Sequence, residues 1–259
     1  MLKKRLIGMI TVKDDWAVQS FGYKRYLPLG KPQCLIENLD RWGADEIIIQ
    51  VIDRSKKNIG PDFKLLESIG KLGLETPLIY GGGIRSVEDS VELIQLGADR
   101  LIVDSLLHDD LICIKKISDK LGSQAIIASL PLACKAKNLD WFNYRTKTLR
   151  PLSDKLLDSI QSGVISEVLI SDWQHEGMPD SFDQELINLF PIKHVPIILF
   201  GGISDFKQMD KLLNLKNINA IAVGNFLSYK EHAIQSYKKE LASLKLRSAS
   251  YKSSLFIGN

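Results

Sequence analysis

Two glycine runs mark the places where this sequence can hold an anion. Gly81-Gly82-Gly83 and Gly201-Gly202 each close a short apolar run and lead to a serine, Ser86 and Ser204, placed to cap a helix. Glycine N–H groups and a helix start converging on one point bind phosphate readily. The same residues suit a plain strand-to-helix turn equally well, because such a turn needs glycine with or without an anion. Other chemistry is thinly supplied. Cys34, Cys113 and Cys134 are widely spaced with no CxxC pair, which argues against a disulfide framework and against a zinc site. Reduced thiols in a cytoplasmic setting, no metal and no cofactor are expected. His108, His175, His194 and His232 are scattered and read as surface residues, with His175, beside Glu176-Gly177, the nearest to a candidate loop.

The elements that must position the glycines follow from hydropathy. Short β-branched runs predict strands over 5–12, 46–52, 77–80, 100–104, 124–130, 167–171, 196–200 and 220–224. Apolar residues at three- and four-residue spacings predict helices over 35–42, 63–72, 87–96, 112–121, 156–162, 185–189, 206–213 and 232–246. Eight such pairs predict an α/β chain folded as a (β/α)8 TIM barrel, whose ligands gather at the carboxyl ends of the strands, where both glycine runs stand. An internal echo supports closure: Pro77-Leu-Ile-Tyr-Gly-Gly-Gly-Ile84 returns as Pro196-Ile-Ile-Leu-Phe-Gly-Gly-Ile203, and Glu46 after Gly43 returns as Glu167 after Gly163. Two (β/α)4 halves, about 1–120 and 121–247, are expected within a single domain spanning 1–259, with a tail at 248–259.

Bulk properties agree. A chain of 259 residues, 45% hydrophobic, can bury one large core. Thirty-four basic against 31 acidic residues give a net charge of +3, which points away from nucleic acid and membrane surfaces. The apolar run after Lys3-Lys4-Arg5 is too short for a secretion signal and ends in Lys13-Asp14-Asp15, so a buried first strand is expected.

Lys4-Arg5-Leu-Ile, Thr11-Val-Lys-Asp14, Gly43-Ala-Asp-Glu46, Gly81-Gly-Gly-Ile84, Leu96-Gly-Ala-Asp-Arg100, Gly122-Ser-Gln-Ala125 and Gly201-Gly-Ile203 fall in one order. On these motifs the chain resembles, nearly end to end, the cyclase subunit of imidazole glycerol phosphate synthase, a lyase of histidine biosynthesis. The resemblance implies a barrel with a glutaminase docked at its bottom, ammonia passing through, and two aspartates acting as acid and base on a bis-phosphorylated substrate at the top. It also implies an ammonia gate at Arg5, Glu46, Arg100 and Glu167, and a partner-docking residue at Asp99. Without the resemblance, charges at strand starts read as solvent-facing. With it, two cations and two anions form a ring that neutralises itself, and Arg100 replaces the family's lysine.

The departures are at the top. The family's first catalytic aspartate precedes Val-Lys-Asp, and here Thr11 stands there; the second corresponds to Pro131. Neither side chain does a carboxylate's work, and each positioned acid or base contributes roughly 10²–10⁴ in rate. Asp14, Asp53, Asp104 and Asp172 are the acids that can substitute. Of the implied phosphate positions, Gly82, Gly83, Gly201 and Gly202 are kept; Asp104-Ser105 replaces the family's Asn-Thr, and Asn225 offers an amide. Two expected loops, 14–31 and 138–150, mix aromatic residues with cations and suit a protein interface or a sugar-nucleotide ligand; a structural hairpin is an equal reading of the second.

Kept gate and lost acids together suggest a barrel that carries ammonia to another enzyme. This resembles a cyclase-like subgroup tied to bacterial surface polysaccharides, whose Tyr-Gly-Gly-Gly-Ile string it shares and whose ammonia goes to a sugar amidotransferase. The alternatives are a true cyclase with relocated acids and a scaffold with a blocked barrel.

Overall fold

A strand buried on both faces needs apolar residues at nearly every position, and Arg5–Lys13, buried everywhere but at its two ends, carries only Thr11 as a polar side chain between them. The computed structural model describes residues 3–230, 232–241 and 246–248. Among these, the strands are β1 (Arg5–Lys13), β2 (Trp16–Phe21), β3 (Arg25–Gly30), β4 (Glu46–Val51), β5 (Leu78–Gly81), β6 (Arg100–Val103), β7 (Ile126–Lys135), β8 (Asn138–Asn143), β9 (Thr148–Pro151), β10 (Glu167–Asp172), β11 (Ile197–Phe200) and β12 (Ile218–Val223). The α-helices are α1 (Pro32–Arg41), α2 (Arg54–Lys57), α3 (Phe63–Gly70), α4 (Val87–Gln95), α5 (Ser105–Asp109), α6 (Leu111–Leu121), α7 (Asp154–Gln161), α8 (Glu185–Leu189), α9 (Phe206–Leu213) and α10 (Ala233–Glu240).

Eight parallel strands close in the order β1, β4, β5, β6, β7, β10, β11, β12, and β12 returns to β1. This is the expected (β/α)8 barrel. Side chains alternate across its wall. Ile7, Met9, Ile48, Ile79, Ile102, Ile127, Leu169, Ile198, Phe200, Ala220 and Ala222 form one cluster inside the barrel. Their strand neighbours, such as Leu6, Ile47, Tyr80, Leu101 and Ile221, join the larger core under the helices.

The four remaining strands are additions to the mouth. Hairpin β2–β3 hangs on β1 and hairpin β8–β9 on β7, each entered through a two-residue turn with both residues left-handed: Asp14-Asp15 and Ala136-Lys137. Segment 14–31, expected as a loop, is therefore mostly strand; for 138–150 the hairpin reading is the one found.

Local chemistry also moves some boundaries. α1 begins at Pro32, whose missing N–H costs nothing in a first turn. Ser86 caps α4 as expected, but α9 is capped by Asp205, while Ser204 instead exchanges hydrogen bonds with Asp180. The last predicted helix is seen as Ala233–Glu240; residues 242–245 of it, and 249–259 of the expected tail, lie outside the described residues.

Candidate functional site

The first inward position of four barrel strands carries a charge, and these four side chains meet at the bottom of the lumen. Arg5 Nη1 donates to both Glu46 oxygens at 2.8 Å, and its other amino group pairs with Glu167. Arg100 Nη1 lies 2.7 Å from the second Glu167 oxygen and 4.0 Å from Glu46. The result is a closed ring of alternating sign. Its side chains are between 4% and 18% exposed, which places them where isolated charges are costly and paired ones are retained. Burial pulls the Arg5 pKa down, but Glu167 and Glu46 outweigh it and leave it raised. Glu46 is also raised, by burial ahead of the pull of Arg5 and Arg100, with the charge of Glu167 adding to the rise.

The ring is braced from outside. Arg100 Nε donates to the Gln124 carbonyl and Nη2 to Ser166 Oγ. Asp99, an exposed residue, accepts the Leu78 N–H at 2.7 Å, and buried Asp45 does the same for Leu6 while also taking Lys238 Nζ at 2.7 Å. One Asp99 oxygen thus already serves the fold. Above the ring the lumen turns apolar, then polar again at Gln50, Ser129 and Ser171; Ser171 Oγ is buried with no hydrogen-bond partner among the described residues.

At the mouth, hairpin β2–β3 bends inward and is clasped by the segment after β10. The Ser20 main chain pairs both ways with the Asn225 amide, at 3.1 and 2.6 Å. Glu176 accepts from Ser20 Oγ at 3.0 Å and from the Tyr23 N–H at 3.2 Å, and its carbonyl accepts from Gly22 N–H. Gly177 is required at this crossing: a Cβ there would sit 2.4 Å from the Ser20 carbonyl. Two cavities open around the hairpin. One, of about 470 Å³, has Gly82, Gly83, Ser105, Asp53 and Asp104 in its walls with Tyr23, Tyr144, Phe142 and Trp173. The other, of about 320 Å³, is lined by Thr11, Phe200, Glu176 and Asn225.

The expected phosphate positions are therefore divided. Gly82, Gly83 and Ser105 share the larger cavity; Gly201 and Gly202 line neither. The Gly202 carbonyl accepts the Ser181 and Phe182 N–H groups, and the Asn225 amide is committed to Ser20. Asp104 does not act as a full negative charge beside Ser105, since burial lifts its pKa to about 7. Among the other candidate acids, Asp53 is in the cavity wall and bound by Lys57, while Asp14 is exposed between Lys13 and Lys57. Asp172 lies outside both cavities, where it takes His175 Nδ1 at 2.7 Å and the Asp183 N–H at 2.8 Å. Thr11 and Pro131 lie at the inner mouth, and Pro131 is registered against Ser171.

Three residues escaped the sequence reading. His108, expected at the surface, stacks on Trp141 with centroids 3.4 Å apart and lines the larger cavity; burial, then Arg145, lowers its pKa to about 4. Glu176 is 2% exposed, and burial raises it to about 7 against its hydrogen bonds from Ser20 and Tyr23. Tyr23 packs on the lumen cluster, and its hydroxyl donates to Gln50 at 3.1 Å. The only signal for Glu176 was its place beside His175. No metal-type cluster of three or more side chains and no helix long and apolar enough to cross a membrane occurs among the described residues.

Residues 5–233 match the family model described as histidine biosynthesis protein. The chain belongs to that family. A Vibrio vulnificus protein carrying the provisional name imidazole glycerol phosphate synthase subunit hisF2 is 31% identical over 250 residues, covering 95% of this chain and 91% of the relative. A hisF2 protein of Campylobacter jejuni, provisionally named in the same way, is 28% identical over 93% of this chain and 96% of its own length. The imidazole glycerol phosphate synthase subunit HisF of Staphylococcus carnosus is 27% identical over the same shares, 93% and 96%. The resemblance carried by the sequence motifs is thus a family membership, and the barrel, with its cyclase-like relatives, is the frame in which the altered mouth has to be understood.

Proposed function

We propose that this chain is a conduit: a glutaminase docks on the bottom face around Asp99, ammonia passes the ring of Arg5, Glu46, Arg100 and Glu167, and an amidating enzyme at the mouth consumes it. The observation that carries the reading is the closed, self-neutral ring beneath an apolar lumen that ends at Thr11 and Pro131. The unpartnered Ser171 hydroxyl offers a lumen-facing acceptor for an N–H group. Sugar amidation in surface-polysaccharide synthesis is the acceptor chemistry that the Tyr80-Gly81-Gly82-Gly83-Ile84 string favours, through the cyclase-like subgroup that shares it. The reading treats 1–120 and 121–247 as halves of one cytoplasmic unit, and the cavity at Gly82, Gly83 and Ser105 as the retained place for a phosphate-bearing ligand.

The second reading, a cyclase with relocated acids, draws on Asp53 and Asp104 in the cavity wall. It is weakened by the hairpin, because Gly22 and Tyr23 stand in the wall of the cavity that holds Gly82 and Gly83, while Gly201 and Gly202 line neither cavity. One experiment separates the two. The purified chain, given the bis-phosphorylated carboxamide substrate and ammonium salt at high pH, is expected to form no imidazole glycerol phosphate, whereas it is expected to bind its glutaminase and lose that binding when Asp99 is reversed to lysine. Formation of the imidazole product overturns the conduit.

A further inference from the structure

Tyr23 occupies a position that a tyrosine does not hold by preference. It is the second central residue of the turn joining β2 to β3, with φ at +52° after Gly22 at +59°, and the Lys24 N–H closes the turn on the Phe21 carbonyl. Both central residues are left-handed, a geometry that favours glycine or asparagine and costs a bulky residue on the order of 1 kcal/mol or more. The surroundings hold it there. Its N–H is bound by Glu176, its carbonyl accepts the Tyr26 hydroxyl at 2.6 Å, and its own hydroxyl reaches Gln50 on the inner face of β4. Its ring lies 5.0 Å from that of Tyr144, which comes from the hairpin on the opposite side of the barrel, and packs against the lumen cluster.

We infer that Tyr23 is the upper closure of the lumen, a positioning residue that seals the exit until the hairpin is moved. The inference rests on the conduit reading for its purpose, but its geometry stands without it. The clasp that holds the ring over the lumen is polar and made of few bonds, while the sealing surface is apolar. Displacing the hairpin by a partner at the mouth releases Ser20 and Tyr23 from Glu176 together, because one carboxylate holds both. The bottom ring controls entrance, and Tyr23 controls exit.

The test is chemical access to the lumen. Ala222, 1% exposed and part of the lumen cluster, is replaced by cysteine in the full-length chain, and its reaction with methyl methanethiosulfonate is followed by peptide mass, with Cys34 as an exposed reference. Adding Tyr23→Ala is expected to speed labelling at 222 by roughly tenfold or more, the change that follows when a local opening is no longer required. Tyr23→Phe, which keeps the ring and loses only the Gln50 bond, is expected to stay within about twofold of the parent, and far-UV circular dichroism confirms that each variant is folded. Equal labelling in the parent and Tyr23→Ala overturns the closure. The assay uses no ammonia and no partner, so failure here leaves the conduit standing, and formation of imidazole glycerol phosphate would overturn the conduit while leaving the closure intact.

Discussion

The two ends of the lumen give their buried carboxyl groups different partners. At the bottom, Glu46 and Glu167 each face a guanidinium within 2.8 Å, and the two arginines between them complete a ring of no net charge. At the mouth, Glu176 is as deeply buried but is met only by a hydroxyl and backbone N–H groups, and burial holds it at about 7. Asp104, which lines the same cavity as Gly83, sits at about 7 for the same first reason. Burial raises Glu46 as well, but there two guanidinium groups pull against it; at the top Glu176 has only hydrogen bonds to set against burial, and Asp104 only the more distant charge of Arg145. The bottom is built to persist, and the top is built on contacts that can be released.

The largest effect should come from breaking the ring. Glu167→Ala removes the carboxylate shared by Arg5 and Arg100 and leaves both guanidinium groups short of a partner, so a loss of about 3–5 kcal/mol in urea unfolding is expected. A cost near zero would mean that the ring is solvated and the contrast between the ends is false. Glu176 gives the next effect, with a pH signature. Its folded pKa is raised, so the folded state binds the extra proton; stability from this group is fully present below about pH 4.5 and is lost as pH rises toward about 7. The loss is on the order of 3 kcal/mol, and Glu176→Gln, which keeps a side chain able to accept from Ser20 and Tyr23, should flatten that part of the profile. A Glu176→Gln protein with an unchanged slope would place the titration elsewhere.

Restoring acids probes the mouth more gently. Thr11→Asp combined with Pro131→Asp should cost roughly 1–3 kcal/mol, from buried polar groups without designed partners, and should yield no imidazole glycerol phosphate in a product assay. Product formation would show that the hairpin does not obstruct the substrate. The smallest effect is expected at Asp109, whose exposed pair with Arg145 ties α5 to the second hairpin: Asp109→Ala should change thermal stability by less than about 1 kcal/mol.

The barrel was legible because it rests on repeated local rules. Eight β-branched runs, each buried on both faces, leave a parallel closed sheet as the natural solution, and Glu185–Leu189 is found at the predicted bounds. The four ring charges were legible only through the family motifs, since a charge opening a strand looks the same whether it faces water or the lumen; the pairing depends on four strands far apart in sequence. The mouth was less legible. Asp14-Asp15 and Ala136-Lys137 are left-handed without a glycine to announce them, so the first hairpin reads as a loop. Glu176 meets Ser20 across 156 residues, and no periodicity carries such a contact.

The layer of six inward isoleucines, Ile7, Ile48, Ile79, Ile102, Ile127 and Ile198, has a consequence for what can pass it. An ammonium ion entering that girdle leaves its hydration behind and finds no lone pair to replace it, a penalty of several kcal/mol even after relaxation. Neutral ammonia forfeits far less. Under the conduit proposal the girdle would be a dielectric filter that ranks solutes by charge before it ranks them by size. Under the proposed traffic, nitrogen leaves the ring as the uncharged molecule, and any proton it carried is surrendered on the glutaminase side, upstream of the barrel.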